Sequence, residues 1–225
     1  MSTLARPPRT PEAVLFDFDG TLAMLTLDFN AMRHSAYSAL KQALPPEELA
    51  NYDTSKPVME ALSGLLAGYP PQKAAQVNDI VEQNLIAFEV EAARKSRLFP
   101  FTIPVLNRLK ARGIPSAIIT RNCRDSINIV FPDHADYCAC LVARHDVSQV
   151  KPHPEHLLAA LEPLGVAPEK ALMVGDHPMD IIAARNTGCL SAGVLTGEAD
   201  ATSIKKANPD WLAENIEELM QVLDI

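Results

Sequence analysis

Four short apolar runs along the 225-residue chain end abruptly in polar, turn-forming residues. Ala13–Phe16 (AVLF) runs into DFDGT, Ser116–Ile119 (SAII) into TRN, residues 171–174 (ALMV) into GDHPMD, and residues 190–195 (LSAGVL) into TGEAD. Short runs that are apolar throughout and bounded by turn signals predict strands buried on both faces. Between them, apolar positions recur at helical spacing. Residues 102–112 place Val105, Leu106 and Leu109 on one face and stop at Gly113. Residues 155–164 group Leu157, Leu158 and Leu161 and stop at Gly165, and residues 179–187 stop at Gly188. A glycine just past the last helical residue is the expected stop signal. Strand and helix alternating in this way predict an α/β layer fold around a Rossmann-like parallel sheet.

One stretch breaks the alternation. Residues 23–97 contain no strand-like run, only helical patterns over 28–44, 56–66 and 72–93, punctuated by Pro45-Pro46 and Pro70-Pro71. A loop of that length without structure of its own would be exceptional in a compact protein. The expected organisation is therefore a core of residues 1–22 and 98–225, interrupted by a helical domain of residues 23–97.

Composition narrows the function classes. A hydrophobic content of 48%, a charged content of 21% and a mean hydropathy close to zero belong to a folded, soluble chain. No apolar run approaches the roughly 20 residues that span a bilayer, so no membrane partner is expected. The opening MSTLARPPRTPE has no apolar stretch behind a charged start and does not read as a signal peptide, which leaves a cytoplasmic location as the expectation. Cys123, Cys138, Cys140 and Cys189 form no CxxC pair and predict reduced, packed thiols. A net charge of −8 excludes a nucleic-acid backbone as partner. It also requires any anion-binding site to draw local positive potential from a metal, a lysine or helix N-termini.

Reactive residue types fall at the strand ends or in the loops that follow: Asp17, Asp19, Thr120, Lys151, Asp176 and Asp180. Each alone has a simpler reading, as turn chemistry, a helix cap or a solvated charge. Together they fall where open α/β sheets bind ligands, outside the carboxyl ends of the strands. The set suits phosphoryl transfer. A carboxylate is a nucleophile already anionic at neutral pH, and a divalent cation offsets its repulsion from a phosphate dianion. Magnesium suits an all-oxygen site with few protein ligands. Asp17 and Asp176 would supply ligands, with Asp180 beside them. Lys151 would neutralise the nucleophile and the phosphoryl group, and Thr120 would donate to phosphoryl oxygens. Asp19, two residues beyond Asp17, could protonate a leaving oxygen and then activate water.

DFDGTL at residues 17–22, Thr120, Lys151-Pro152, and Gly175-Asp176 with Asp180 resemble, in order, the four motifs of the haloacid dehalogenase superfamily. The resemblance covers about residues 12–22 and 99–223, and the helical insert stands where that family's type C1 caps stand. It implies Asp17 as nucleophile and Asp19 as acid/base, with the Asp19 backbone carbonyl also on the metal. It further implies Thr120 and Lys151 as phosphate-binding residues and Asp176 as a magnesium ligand. Within the superfamily, LFPFTIPVLNRLKARGI and VGDHPMDIIAARNTG resemble the phosphoglycolate phosphatase group. Arg121-Asn122 after Thr120 and His177-Pro178 after Gly175-Asp176 depart from that group's pattern and bear on the substrate. Arg121 and Asn122 are candidate substrate-binding residues, as is Arg33 on the first helix of the insert, facing a leaving-group anion. The expected ligand is a small phosphorylated metabolite, and the expected assembly a monomer or homodimer. Sugar-phosphate mutase and phosphonatase chemistry of the same superfamily remain alternatives, as does a receiver-like phospho-accepting signalling module.

Overall fold

A computed structural model of the chain describes residues 10–24 and 26–225, and the opening residues read above for a leader lie outside these as far as Arg9. Strand β1 (Ala13–Phe16) is followed by helices α1 (Phe29–Ala43), α2 (Val58–Leu66) and α3 (Pro71–Ala93). The chain continues through α4 (Thr102–Ala111), β2 (Ser116–Ile119), α5 (Arg124–Val130), β3 (Cys140–Val142), α6 (Glu155–Leu164) and β4 (Ala171–Gly175). It ends with α7 (Pro178–Thr187), β5 (Leu190–Val194), α8 (Ala201–Lys206), β6 (Trp211–Ala213) and α9 (Ile216–Val222). Two compact units result, one of Thr26–Lys95 and one of Ser96–Ile225 with the residues before Leu25.

In the larger unit six parallel strands lie in the order β3-β2-β1-β4-β5-β6. Their alternating side chains feed two separate cores. Val14, Phe16, Ile118, Leu172 and Val174 pack with Val105, Leu106 and Leu109 of α4 and Ile216, Leu219 and Met220 of α9. Leu15, Ala117, Ile119 and Met173 face the other way, against Leu157, Ala160 and Leu161 of α6 and Ala183 and Ala184 of α7. Apolarity on both faces is thus what makes these strands continuous hydrophobic runs. Each large buried side chain contributes about 1.5–3 kcal/mol of transfer free energy, and Phe16→Ala at the centre would cost about 3–5 kcal/mol. From β1 the chain builds β2 and β3 outward on one side, then crosses to β4 on the other. The switch point lies between β1 and β4, where such sheets open a crevice at their carboxyl ends.

The smaller unit is helical among its described residues. Ala36 and Leu40 of α1, Leu62 and Leu65 of α2, and Val77, Val81 and Leu85 of α3 form its core. Asp28 caps α1 by accepting from the Ala31 amide at 2.9 Å, and Pro71 takes the first position of α3, where its missing N–H costs nothing. The unit begins at Thr26 and ends at Lys95, not at 23 and 97, because Ala23 is fully buried and bridges Asp19 and Leu98.

Helix α6 is rotated from the face its leucines predict. His156, Leu157, Ala160 and Leu161 are buried, while Leu158 is 44% exposed. A polar side chain takes the core position expected for a leucine.

Candidate active site

Asp17 is the first residue past β1, and its amide donates to the Val174 carbonyl of β4 at 2.9 Å, which fixes it at the switch point. Asp176 follows β4 directly, and Asp180 lies in the first turn of α7. Oxygens of Asp17, Asp176 and Asp180 all come within 4.8 Å of one another. Lys151, 3% exposed, donates from Nζ to Asp17 Oδ1 and to Asp180 Oδ1, each at 2.7 Å. Four of the residues picked out by type in the sequence therefore meet at one point, from three segments of chain.

Three glycines make room for these carboxylates. A side-chain carbon on Gly20 or Gly197 would overlap the Asp176 carboxylate, and one on Gly175 would overlap that of Asp180. Gly20 also takes φ +79, a turn conformation that favours glycine, and its carbonyl accepts from Thr196 Oγ1 at 2.6 Å. The Thr21 hydroxyl reaches Asp176 Oδ1 at 3.4 Å.

The electrostatics follow from crowding. Burial first, and then the Asp17 and Asp180 charges, push the Asp176 carboxyl up to about 8. Burial likewise raises Asp180, against the pull of Lys151. Burial alone would lower the Lys151 ammonium, but the Asp17 and Asp180 charges overcome it and hold the group above the usual lysine value. Three carboxylates and one ammonium carry a formal charge of −2. A divalent cation among those oxygens would cancel it, and the all-oxygen donor set suits a hard cation.

The Asp19 carboxylate accepts from Asn122 Nδ2 at 3.0 Å through Oδ2. Thr120, buried at the end of β2, accepts the Asn122 amide on Oγ1 at 3.0 Å, and Asn122 Oδ1 accepts the Cys123 amide at 2.8 Å. Thr120 and Asn122 thus form one turn beside Asp19. Arg121 extends instead to α7, with Nη1 at 2.9 Å from Met179 Sδ, and its carbonyl accepts from Arg144 Nη1 at 2.5 Å. His177 caps α7: Nδ1 accepts the Met179 amide at 3.1 Å and its own amide donates to Asp180 Oδ2 at 3.2 Å. Arg33 belongs to the smaller unit, where Nη2 donates to Asn30 Oδ1 at 2.5 Å along α1.

Sequence reasoning missed the buried Arg144, the hydroxyls of Thr21 and Thr196 and, above all, His156. Its Nδ1 accepts the Lys151 amide at 3.1 Å and its Nε2 faces the Val142 carbonyl at 3.2 Å. A histidine on the apolar stripe of a helix was the available signal. Among the described residues no helix is long and apolar enough to cross a membrane.

The profile of haloacid dehalogenase-like hydrolases matches residues 14–194. A phosphoglycolate phosphatase of Shigella dysenteriae is 29% identical over 94% of this chain and 92% of its own length. Pyrophosphatase PpaX of Bacillus velezensis is 26% identical over 95% of this chain and 96% of its own. The crystal structure of a hydrolase from Pseudomonas syringae superposes with a TM-score of 0.71 at 23% identity, over 94% of this chain and 97% of that one, which shows the shared fold. With three of the four motifs folded into one carboxylate and lysine cluster and the profile spanning most of the sequence, the chain belongs to the haloacid dehalogenase-like hydrolase family.

Proposed function

We propose that this chain is a magnesium-dependent phosphatase that hydrolyses a small phosphate monoester through an aspartyl-phosphate on Asp17. The observation that carries the reading is the buried Lys151 ammonium, 2.7 Å from both Asp17 and Asp180 in a cluster whose three carboxyl groups outnumber it. Asp17 and Asp176 would hold the cation with the Asp19 carbonyl. Asp180, whose oxygens already accept from Lys151 and His177, would orient those two groups. Bound magnesium would supply charge neutralisation between nucleophile and phosphate.

The residues divide the chemistry. An Asp17 carboxylate oxygen attacks phosphorus, and the bond to the ester oxygen breaks with its electron pair leaving on that oxygen. Asp19 gives the oxygen a proton, its carboxyl held in place by Asn122. Water then attacks the same phosphorus and gives its proton to Asp19. The Asp17–phosphorus bond breaks, phosphate leaves, and both carboxylates are restored to their starting states. Lys151 and Thr120 hold the phosphoryl oxygens throughout.

Relatives named for phosphoglycolate and for pyrophosphate support a small, strongly anionic substrate. The test is phosphate release from phosphoglycolate, pyrophosphate and p-nitrophenyl phosphate, with magnesium and after chelation. Magnesium-dependent release from at least one ester is the expected result. Full turnover after exhaustive chelation would overturn the reading.

A further inference from the structure

We infer that His156 is a positioning residue: its imidazole ties the Lys151 backbone to the carbonyl of β3 that also holds the end of β2, and so sets where the Lys151 ammonium stands. The inference rests on the phosphatase reading for its kinetic consequence, though not for its geometry. His156 is fully buried at the start of α6. One ring nitrogen, Nδ1, stands 3.1 Å from the Lys151 amide, which can only donate. The other, Nε2, stands 3.2 Å from the Val142 carbonyl, which can only accept. These partners admit one form of the ring, neutral, with its proton on Nε2. An imidazolium would set a second N–H against the Lys151 amide. Burial and the Lys151 charge act in the same direction and push the imidazole down to about 4, so the form holds across physiological pH.

The Val142 carbonyl takes a second donor, the Thr120 amide at 3.0 Å. One oxygen at the carboxyl end of β3 therefore fixes Thr120 directly and Lys151 through the imidazole. Lys151 needs such a tie. It lies in the connection between β3 and α6, outside any strand or helix, yet its ammonium must meet two carboxylates at 2.7 Å each. A leucine at 156 would fill the same space and leave both the Lys151 amide and one acceptor site of Val142 without the ring.

The test compares His156→Leu with His156→Asn, which can still accept the Lys151 amide but is too short to reach Val142. With both ends of the tie needed, each variant loses about 10- to 100-fold in kcat/KM per folded molecule, chiefly in kcat. In a Lys151→Met background the same change costs little more, because residues acting through one another are not additive. A variant with a lowered melting temperature but unchanged kcat/KM would make His156 a packing residue and overturn the inference, as would full additivity with Lys151→Met. Should the wild type hydrolyse no phosphate ester, the functional reading fails separately. The position of Lys151 Nζ in a crystal structure of His156→Asn then decides: displacement from Asp17 supports the tie, and an unmoved ammonium rejects it. His156→Asn keeps a polar group at the buried position, so the comparison stands even where His156→Leu does not fold.

Discussion

The Asp176 carboxylate lies in the space that a side chain on Gly197 would fill. Gly197 follows β5 and Asp176 follows β4, so two neighbouring strand ends share one pocket only while the first carries no Cβ. Gly197→Ala should therefore displace the carboxylate and raise the magnesium concentration for half-maximal activity by at least about tenfold, with a smaller effect on melting temperature. Gly64, in α2 with nothing near its missing side chain, is the control. Gly64→Ala should leave activity unchanged and stabilise the chain by about 0.5–1 kcal/mol. Titrations of magnesium against activity for both variants check this.

Asp19 and Asp17 stand two residues apart but should fail differently. Asp17→Asn removes the nucleophile and should lower turnover by at least about 10³-fold for every substrate. Asp19→Asn should cost far more with an alkyl phosphate than with p-nitrophenyl phosphate, whose leaving group needs little protonation. Equal losses for the two esters would leave Asp19 without an acid role.

Crowded carboxylates make the metal-free fold sensitive to pH. Asp176 is raised from 3.8 to about 8, so the folded chain holds a proton that the unfolded chain has already lost. By linkage, stability falls as pH rises through that window. His156, lowered from 6.5 to about 4, works in the opposite sense but is spent above 6.5. Between pH 6.5 and 8 the metal-free protein should therefore lose about 1–2 kcal/mol, and saturating magnesium should remove the loss. Thermal melts across that range, with chelator and with magnesium, measure both slopes, and a metal-free slope of opposite sign would contradict the assignment.

Calcium presents a further contrast. Its looser, higher coordination should occupy the same oxygens yet misplace Asp17, so it should stabilise the fold while restoring activity poorly. Turnover with calcium close to that with magnesium would count against a nucleophile that depends on close octahedral geometry.

How far the sequence could be read varies with how buried each element is. β1, β2, β4 and β5 were legible because they are apolar on both faces and end in turn residues. β3 and β6 were not, being three-residue strands at the two edges of the sheet, too short to carry a pattern. The cluster of Asp17, Lys151, Asp176 and Asp180 was legible because the first three each sit beside a strand end, a motif proline or a motif glycine, and Asp180 stands four residues past Asp176. His156 was not, because Leu157, Leu158 and Leu161 beside it suggested a plain apolar stripe, and its role rests on hydrogen bonds to Lys151 and Val142 that no sequence pattern marks. The hydroxyls of Thr21 and Thr196 likewise gain meaning only from partners distant in sequence.

The central claim is the covalent phosphoryl group on Asp17, and trapping it is the direct measurement. Enzyme quenched with acid during turnover and reduced with borohydride should carry homoserine at position 17, the product of reducing an aspartyl-phosphate, read by peptide mass. The modification should be absent without substrate and in Asp17→Asn. Phosphate release at the full rate from an enzyme whose Asp17 is never modified would contradict the account.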